Sequence, residues 1–136
     1  MGGLRVTRAE LLLRYLSTRR QEWCGFRPGR ADCALFAGGW VQFVSGRDLM
    51  GRFGSYKTLE EGKAMIRQAG FEDLAALAAS ALPEVAVDAA EPGDVAAIRS
   101  EGEYALGILG GPQVHVLTLS GLSAISACNA ERVFRP

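Results

Sequence analysis

Between Asp32 and Gly46 the apolar side chains and thiol fall at Cys33, Phe36, Ala37, Trp40, Val41 and Val44. This i, i+3, i+4, i+7 spacing is one face of an α-helix set against a core. Asp32 stands where a helix N-cap belongs, and Gly46 where a glycine ends the last turn. Upstream, Thr7-Arg8-Ala9-Glu10 reads as a capping box, opening a helix that runs to about Leu16 and is ended by the polar stretch 17–22. Thr58-Leu59-Glu60-Glu61 is a second capping box, and its helix stops at Gly70. Residues 71–82 predict a short alanine-rich helix closed by Pro83. Residues 23–30 and 46–56 read as loops, the first broken by Gly25, Pro28 and Gly29.

The second half of the chain changes period. Residues 85–87 read as a short extended piece, and Glu91-Pro92-Gly93 as a turn. Strands are expected over 94–99, 104–109 and 113–119, separated by turns at 100–103 and Gly110-Gly111-Pro112. Further strands are expected over 121–127 and 132–134. Successive strands joined by tight turns imply an antiparallel sheet. Helices first and a meander after is an α+β pattern. No internal repeat, linker or low-complexity tract interrupts it, so residues 1–136 read as a single domain with room for a proper core.

Composition narrows the function classes. Lys+Arg and Asp+Glu balance at 15 each, which offers no pull toward nucleic acid or an acidic membrane. Arginines cluster early, at Arg5, Arg8, Arg14, Arg19, Arg20, Arg27 and Arg30. They read as a solvated face, with a phosphate or partner contact as the alternative. Leu11-Leu12-Leu13 is cut by Arg14 and is too short to span a bilayer, so no membrane insertion is expected. No signal peptide is visible. Met1-Gly2 lacks the Ser or Thr that myristoylation needs at position 6, where Val6 stands. The three cysteines, Cys24, Cys33 and Cys128, form neither a disulfide framework nor a zinc spacing, and no metal or cofactor is expected.

The chemistry centres on Asp32-Cys33. A thiol in the first turn of a helix feels the positive end of the dipole, which favours the thiolate. A buried structural thiol is the competing reading, because the stripe is a core stripe. Asp32 is expected to act as the N-cap, Trp40 as core, and Cys24 and Cys128 as inert packing residues. Trp23, Phe26, Phe53 and Tyr56 read as loop aromatics that pack over the helix. Asp94 reads as a carboxylate making local hydrogen bonds at a strand start.

The loop aromatics and glycines leading into Asp32-Cys33, then Pro92-Gly93-Asp94-Val95, then Ala105-Leu106-Gly107-Ile108-Leu109-Gly110 resemble the NlpC-type cell-wall peptidases, a papain-like superfamily. The likeness runs from about Phe26 to Leu119. The chain is also similar, over nearly its whole length, to small proteins encoded in phage and prophage tail modules. That similarity rests on Trp23 and Gly25, Asp32-Cys33-Ala34-Leu35-Phe36, Gly51-Arg52-Phe53, Gly93-Asp94, Gly107-Ile108 and Gly121-Leu122.

The resemblance implies a papain-like, NlpC-like α+β fold with the Cys33 helix packed on the sheet. It puts Cys33 at the nucleophile position and Ala105 at the general-base position, where the peptidases carry histidine. Alanine cannot move a proton. His115, the one histidine of the chain, lies in the next strand and is the sole candidate for a relocated Cys33–His115 dyad. The favoured expectation is a structural component of a phage or phage-like tail, near the tail tip or baseplate, with a degenerate peptidase fold. Its partners would be other tail proteins, with no nucleic acid, and its location the virion tail after synthesis in the bacterial cytoplasm. An active cysteine amidase acting on peptidoglycan, and a transient tail-assembly factor, are the alternatives.

Overall fold

A computed structural model describes residues 6–51 and 53–136. The Met1-Gly2 start, Arg5 and Arg52 of the sequence reading lie outside the described residues. Four α-helices come first: α1 (Arg8–Glu22), α2 (Cys33–Ser45), α3 (Leu59–Gln68) and α4 (Leu74–Ala81). Six strands follow among the described residues: β1 (Glu84–Val85), β2 (Val95–Ser100), β3 (Glu103–Leu109), β4 (Gln113–Thr118), β5 (Gly121–Ser126) and β6 (Ala130–Phe134). They form one antiparallel sheet in the order β1-β6-β2-β3-β4-β5. The α+β expectation holds.

Local chemistry sets the helix ends. The Thr7 hydroxyl accepts from the Glu10 N–H at 3.1 Å, and the Thr58 hydroxyl from the Glu61 N–H at 3.1 Å. Asp32 and Asp73 cap α2 and α4 in the same way, each satisfying a backbone donor that a helix start leaves free. Gly46, at φ 77°, ends α2 in the left-handed region. Most boundaries lie within one or two residues of the sequence expectation, and three departures have a local cause. α1 runs on to Glu22, because its polar last turns need no apolar partner and Arg19 pairs with Glu22 at 3.0 Å. α4 begins only at Leu74, since the Asp73 side chain caps it there. The extended piece at 85–87 is strand only over Glu84–Val85, and Val87–Ala89 winds into a 3-10 turn.

The core lies between the helices and the sheet. Phe36, Ala37, Trp40 and Val41 of α2 are fully buried. They meet Leu12 and Leu16 of α1, Ala75 and Ala78 of α4, and Val95, Ala97, Leu106, Ile108, Leu117 and Phe134 of the sheet. Alternate strand residues point the other way, where Ala96, Ile98, Leu109, Val114, Val116 and Val133 form a second cluster. This is the period-two division of a pleated sheet. The Trp40 indole donates to the Gly93 carbonyl at 2.7 Å. Gly93 has φ 93°, and a Cβ there would press on Arg8 and Trp40. α2 is thereby fixed to the start of β2, with its N-terminus directed at β3.

Candidate functional site

At the head of α2 is a cavity of about 430 Å³. Phe26, Met50, Phe53 and Tyr56 from the two long loops wall it, α3 covers it with Met65 and Ile66, and Tyr104 and Ala105 of β3 close the far side. Lys63 of α3 pairs with Glu103 of β3 across the opening. Ile66 is the one side chain that α3 buries. This helix therefore rests on the cavity with little apolar anchorage of its own.

Asp32 organises the floor. Its carboxylate is 3% exposed. One oxygen accepts from the Leu35 N–H at 2.9 Å, and the other accepts from the Gly29 N–H at 2.9 Å and from the Tyr56 hydroxyl. A single side chain thus starts α2, closes the 27–31 turn and holds the second loop. The N-cap expectation for Asp32 is met, and its grip on Tyr56 was not foreseen. Burial, then the Asp32 hydrogen bond and charge, raise the Tyr56 pKa, so the phenol stays protonated as the donor.

Cys33 is half-buried and opens onto this cavity. Burial pushes its thiol pKa up, and the Asp32 charge adds to the rise. Backbone N–H groups of Leu106, Ala34 and Cys33 itself act in the opposite direction. The Leu106 interaction locates the thiol: it abuts β3 beside Ala105. Ala105 borders the same cavity and pairs with Ile98 of β2. The β3 side chains on the helix side, where the thiol lies, are Tyr104 and Leu106, while Ala105 packs with the cluster on the opposite face of the sheet. This stretch of β3 offers the thiol no histidine.

His115 is elsewhere. It pairs with Ile108, two residues further along β3 than Leu106, which is about 7 Å at strand spacing. The imidazole lies in the space left by Gly110. Burial, then the Arg20 charge, lower its pKa. It takes no part in lining the Cys33 cavity. The structure thus brings Asp32 and Cys33 together at the cavity; Ala105 borders it from a strand on which its methyl packs to the other face, and His115 lies outside the lining. No hydrogen bond joins the two members of the expected Cys33–His115 dyad among the described residues, and antiparallel register sets His115 against Ile108.

Other expectations are also revised. Cys24 and Cys128 are exposed, so they are not packing residues. Trp23 and Phe26 do pack against the helix-side core, whereas Phe53 and Tyr56 wall the cavity. Asp94 does more than bond locally. Besides accepting from the Glu91 N–H at 2.8 Å, this fully buried carboxylate takes two bonds from Arg135, at 3.0 and 2.8 Å, and has Arg8 at 3.7 Å. Pro92-Gly93-Asp94 is therefore a structural joint, away from the thiol. Among the described residues, no three His, Cys, Asp or Glu side chains are grouped to hold a metal. Nor is any described helix long and apolar enough to cross a membrane.

Compared with curated proteins, the chain finds no match. A family model does match it over residues 5–136. The chain belongs to that family, described as a domain of unknown function (DUF6950).

Proposed function

We propose that this protein is a structural component of a phage or phage-like tail, in the tail-tip or baseplate region, built on a papain-like layout without thiol-hydrolase chemistry. The observation that carries the non-catalytic half is the Cys33 cavity. A cysteine hydrolase needs a thiolate and a base within hydrogen-bond reach. Here burial disfavours the thiolate, Ala105 stands at the base position, and the cavity is lined by no histidine. The tail assignment rests on the sequence resemblance, above all Asp32-Cys33-Ala34-Leu35-Phe36 with Gly93-Asp94 and Gly107-Ile108. A retained layout with lapsed chemistry agrees with the rule that fold does not dictate function.

Two measurements test this reading. Mass spectrometry of purified particles from the source strain should find the chain at a fixed ratio to known tail proteins. Its absence from mature particles, with presence in tail intermediates, would replace the structural role with an assembly role. Incubated with purified peptidoglycan, wild type and Cys33→Ser should release the same background of fragments. Release that depends on the thiol would overturn the non-catalytic half.

A further inference from the structure

A second concavity lies on the other side of α2, between it and α1, with a volume of about 510 Å³. Arg14, Arg19 and Arg30 line it together with Tyr15, Trp23 and Phe43, and none of its lining residues carries a carboxylate. Arg14 and Arg30 are exposed and have no carboxylate partner among the described residues. The Arg19 guanidinium lies over two rings, 5.4 Å from the Tyr15 centroid and 4.9 Å from that of Trp23. Its outer edge pairs with Glu22 at 3.0 Å, while its Nε is buried without an acceptor. Phe43 is 52% exposed, yet its ring is held 6.1 Å from Tyr15 and 6.2 Å from Trp40. The groove thus combines positive charge, a fixed exposed aromatic platform and one buried donor lacking a partner.

We propose that the α1–α2 groove docks an acidic segment of a partner protein that carries one apolar or aromatic anchor. Charge complementarity selects the acidic side chains, which would meet Arg14 and Arg30. The anchor would sit on Phe43, in the manner of aromatic contacts that dominate interfaces. Thr18 and Gln42, also in the lining, offer neutral hydrogen bonds suited to a peptide backbone. A nucleic acid fits less well. Three arginines in one short groove, on a chain of zero net charge, do not form the extended positive track that a phosphate chain requires.

Fluorescence polarisation with three labelled peptides tests it: a short Glu/Asp-rich peptide with one central Trp, its Gln/Asn counterpart, and the acidic peptide with Ala for Trp. A labelled oligothymidylate is the fourth probe. The full chain should bind the acidic Trp peptide, and added salt should weaken binding. The amide and Ala peptides should each bind roughly tenfold or more weakly, as should the acidic peptide on Arg14→Glu/Arg30→Glu. Circular dichroism checks that this variant is folded, and the peptide comparison on wild type needs no variant. No binding of the acidic peptide, equal binding of its amide counterpart, an unaffected folded double variant, or tighter binding of the oligothymidylate would each overturn the proposal.

Discussion

At the scale of single residues, the outcome at Cys33 depends on which of two opposed influences is larger. The first turn of α2 and three backbone N–H groups favour the thiolate. Enclosure by protein disfavours it, and the N-cap carboxylate beside it places a negative charge where the helix dipole would have helped. Burial prevails and the pKa rises. At neutral pH, alkylation by iodoacetamide should therefore reach the exposed Cys24 and Cys128 before Cys33. The Cys33 rate should still be climbing as pH is raised past the ordinary thiol range of about 8.5, because burial raises its pKa. Peptide mass mapping reads all three, and early labelling of Cys33 would reverse the ranking. Tyr15 gives a second pH signature. It donates to the Phe36 carbonyl at 2.6 Å, and burial pushes its pKa up to about 12, against a smaller lowering by Arg19. In the unfolded chain it titrates near 10, so the unfolded state loses the proton first. The stabilisation from neutral Tyr15 is complete below about pH 10 and is lost as pH rises toward about 12. Urea midpoints on either side of about pH 10 should fall more steeply for wild type than for Tyr15→Phe. Parallel slopes would count against this assignment.

At the scale of elements, what was legible is what neighbours in sequence decide. The α2 stripe and its Asp32 and Gly46 ends follow from spacing and cap chemistry within one helix, and the strands follow from alternation and turns. The apolar stripe of α1 fades at Leu16, although a polar turn such as 19–22 remains helical without burying anything. The contacts that build the candidate site were not legible. Tyr56 meets Asp32 from 24 residues away, and the register that sets His115 against Ile108 is fixed by pairing between whole strands. Position 29 tests the loop geometry behind this site. Gly29 and Gly46 have nearly the same backbone angle, φ 78° and φ 77°. Alanine at either carries the left-handed penalty of about 1–2 kcal/mol. A Cβ at Gly46 meets nothing within 4 Å, whereas at Gly29 it runs into the Tyr56 carbonyl. Gly29→Ala should therefore cost about 1–3 kcal/mol more than Gly46→Ala, as read by chemical denaturation. Equal losses would mean that the 27–31 turn does not bear on the Tyr56 loop.

At the scale of the whole molecule, the two ends of the described chain meet at one buried carboxylate. Asp94, at the start of β2, holds Arg135 through two hydrogen bonds and has Arg8 of α1 alongside. Arg8 in turn donates to the Pro136 carbonyl at 3.1 Å, and Arg135 also donates to the Ala89 carbonyl at 3.0 Å. First helix, central strand and last residues are thereby joined beneath Trp40, which is bonded to the adjacent Gly93. The ion pairs at the molecular rim differ in kind. Arg99 and Glu131 lie 3.4 Å apart with side chains 51% and 44% exposed, where water and salt screen the attraction. Asp94 is 0% exposed, so its removal leaves the Glu91 N–H and the Arg135 guanidinium without the acceptor around which they are arranged. Asp94→Ala should destabilise the protein by about 3–5 kcal/mol, lowering the urea midpoint at unchanged denaturant slope. Glu131→Ala should leave the midpoint almost where it is. A chain ended after Phe134 loses Arg135, and its midpoint should move in the same direction as that of Asp94→Ala. If that truncation leaves the midpoint unchanged while Asp94→Ala lowers it, Asp94 acts on β2 alone and the two ends are not coupled through it.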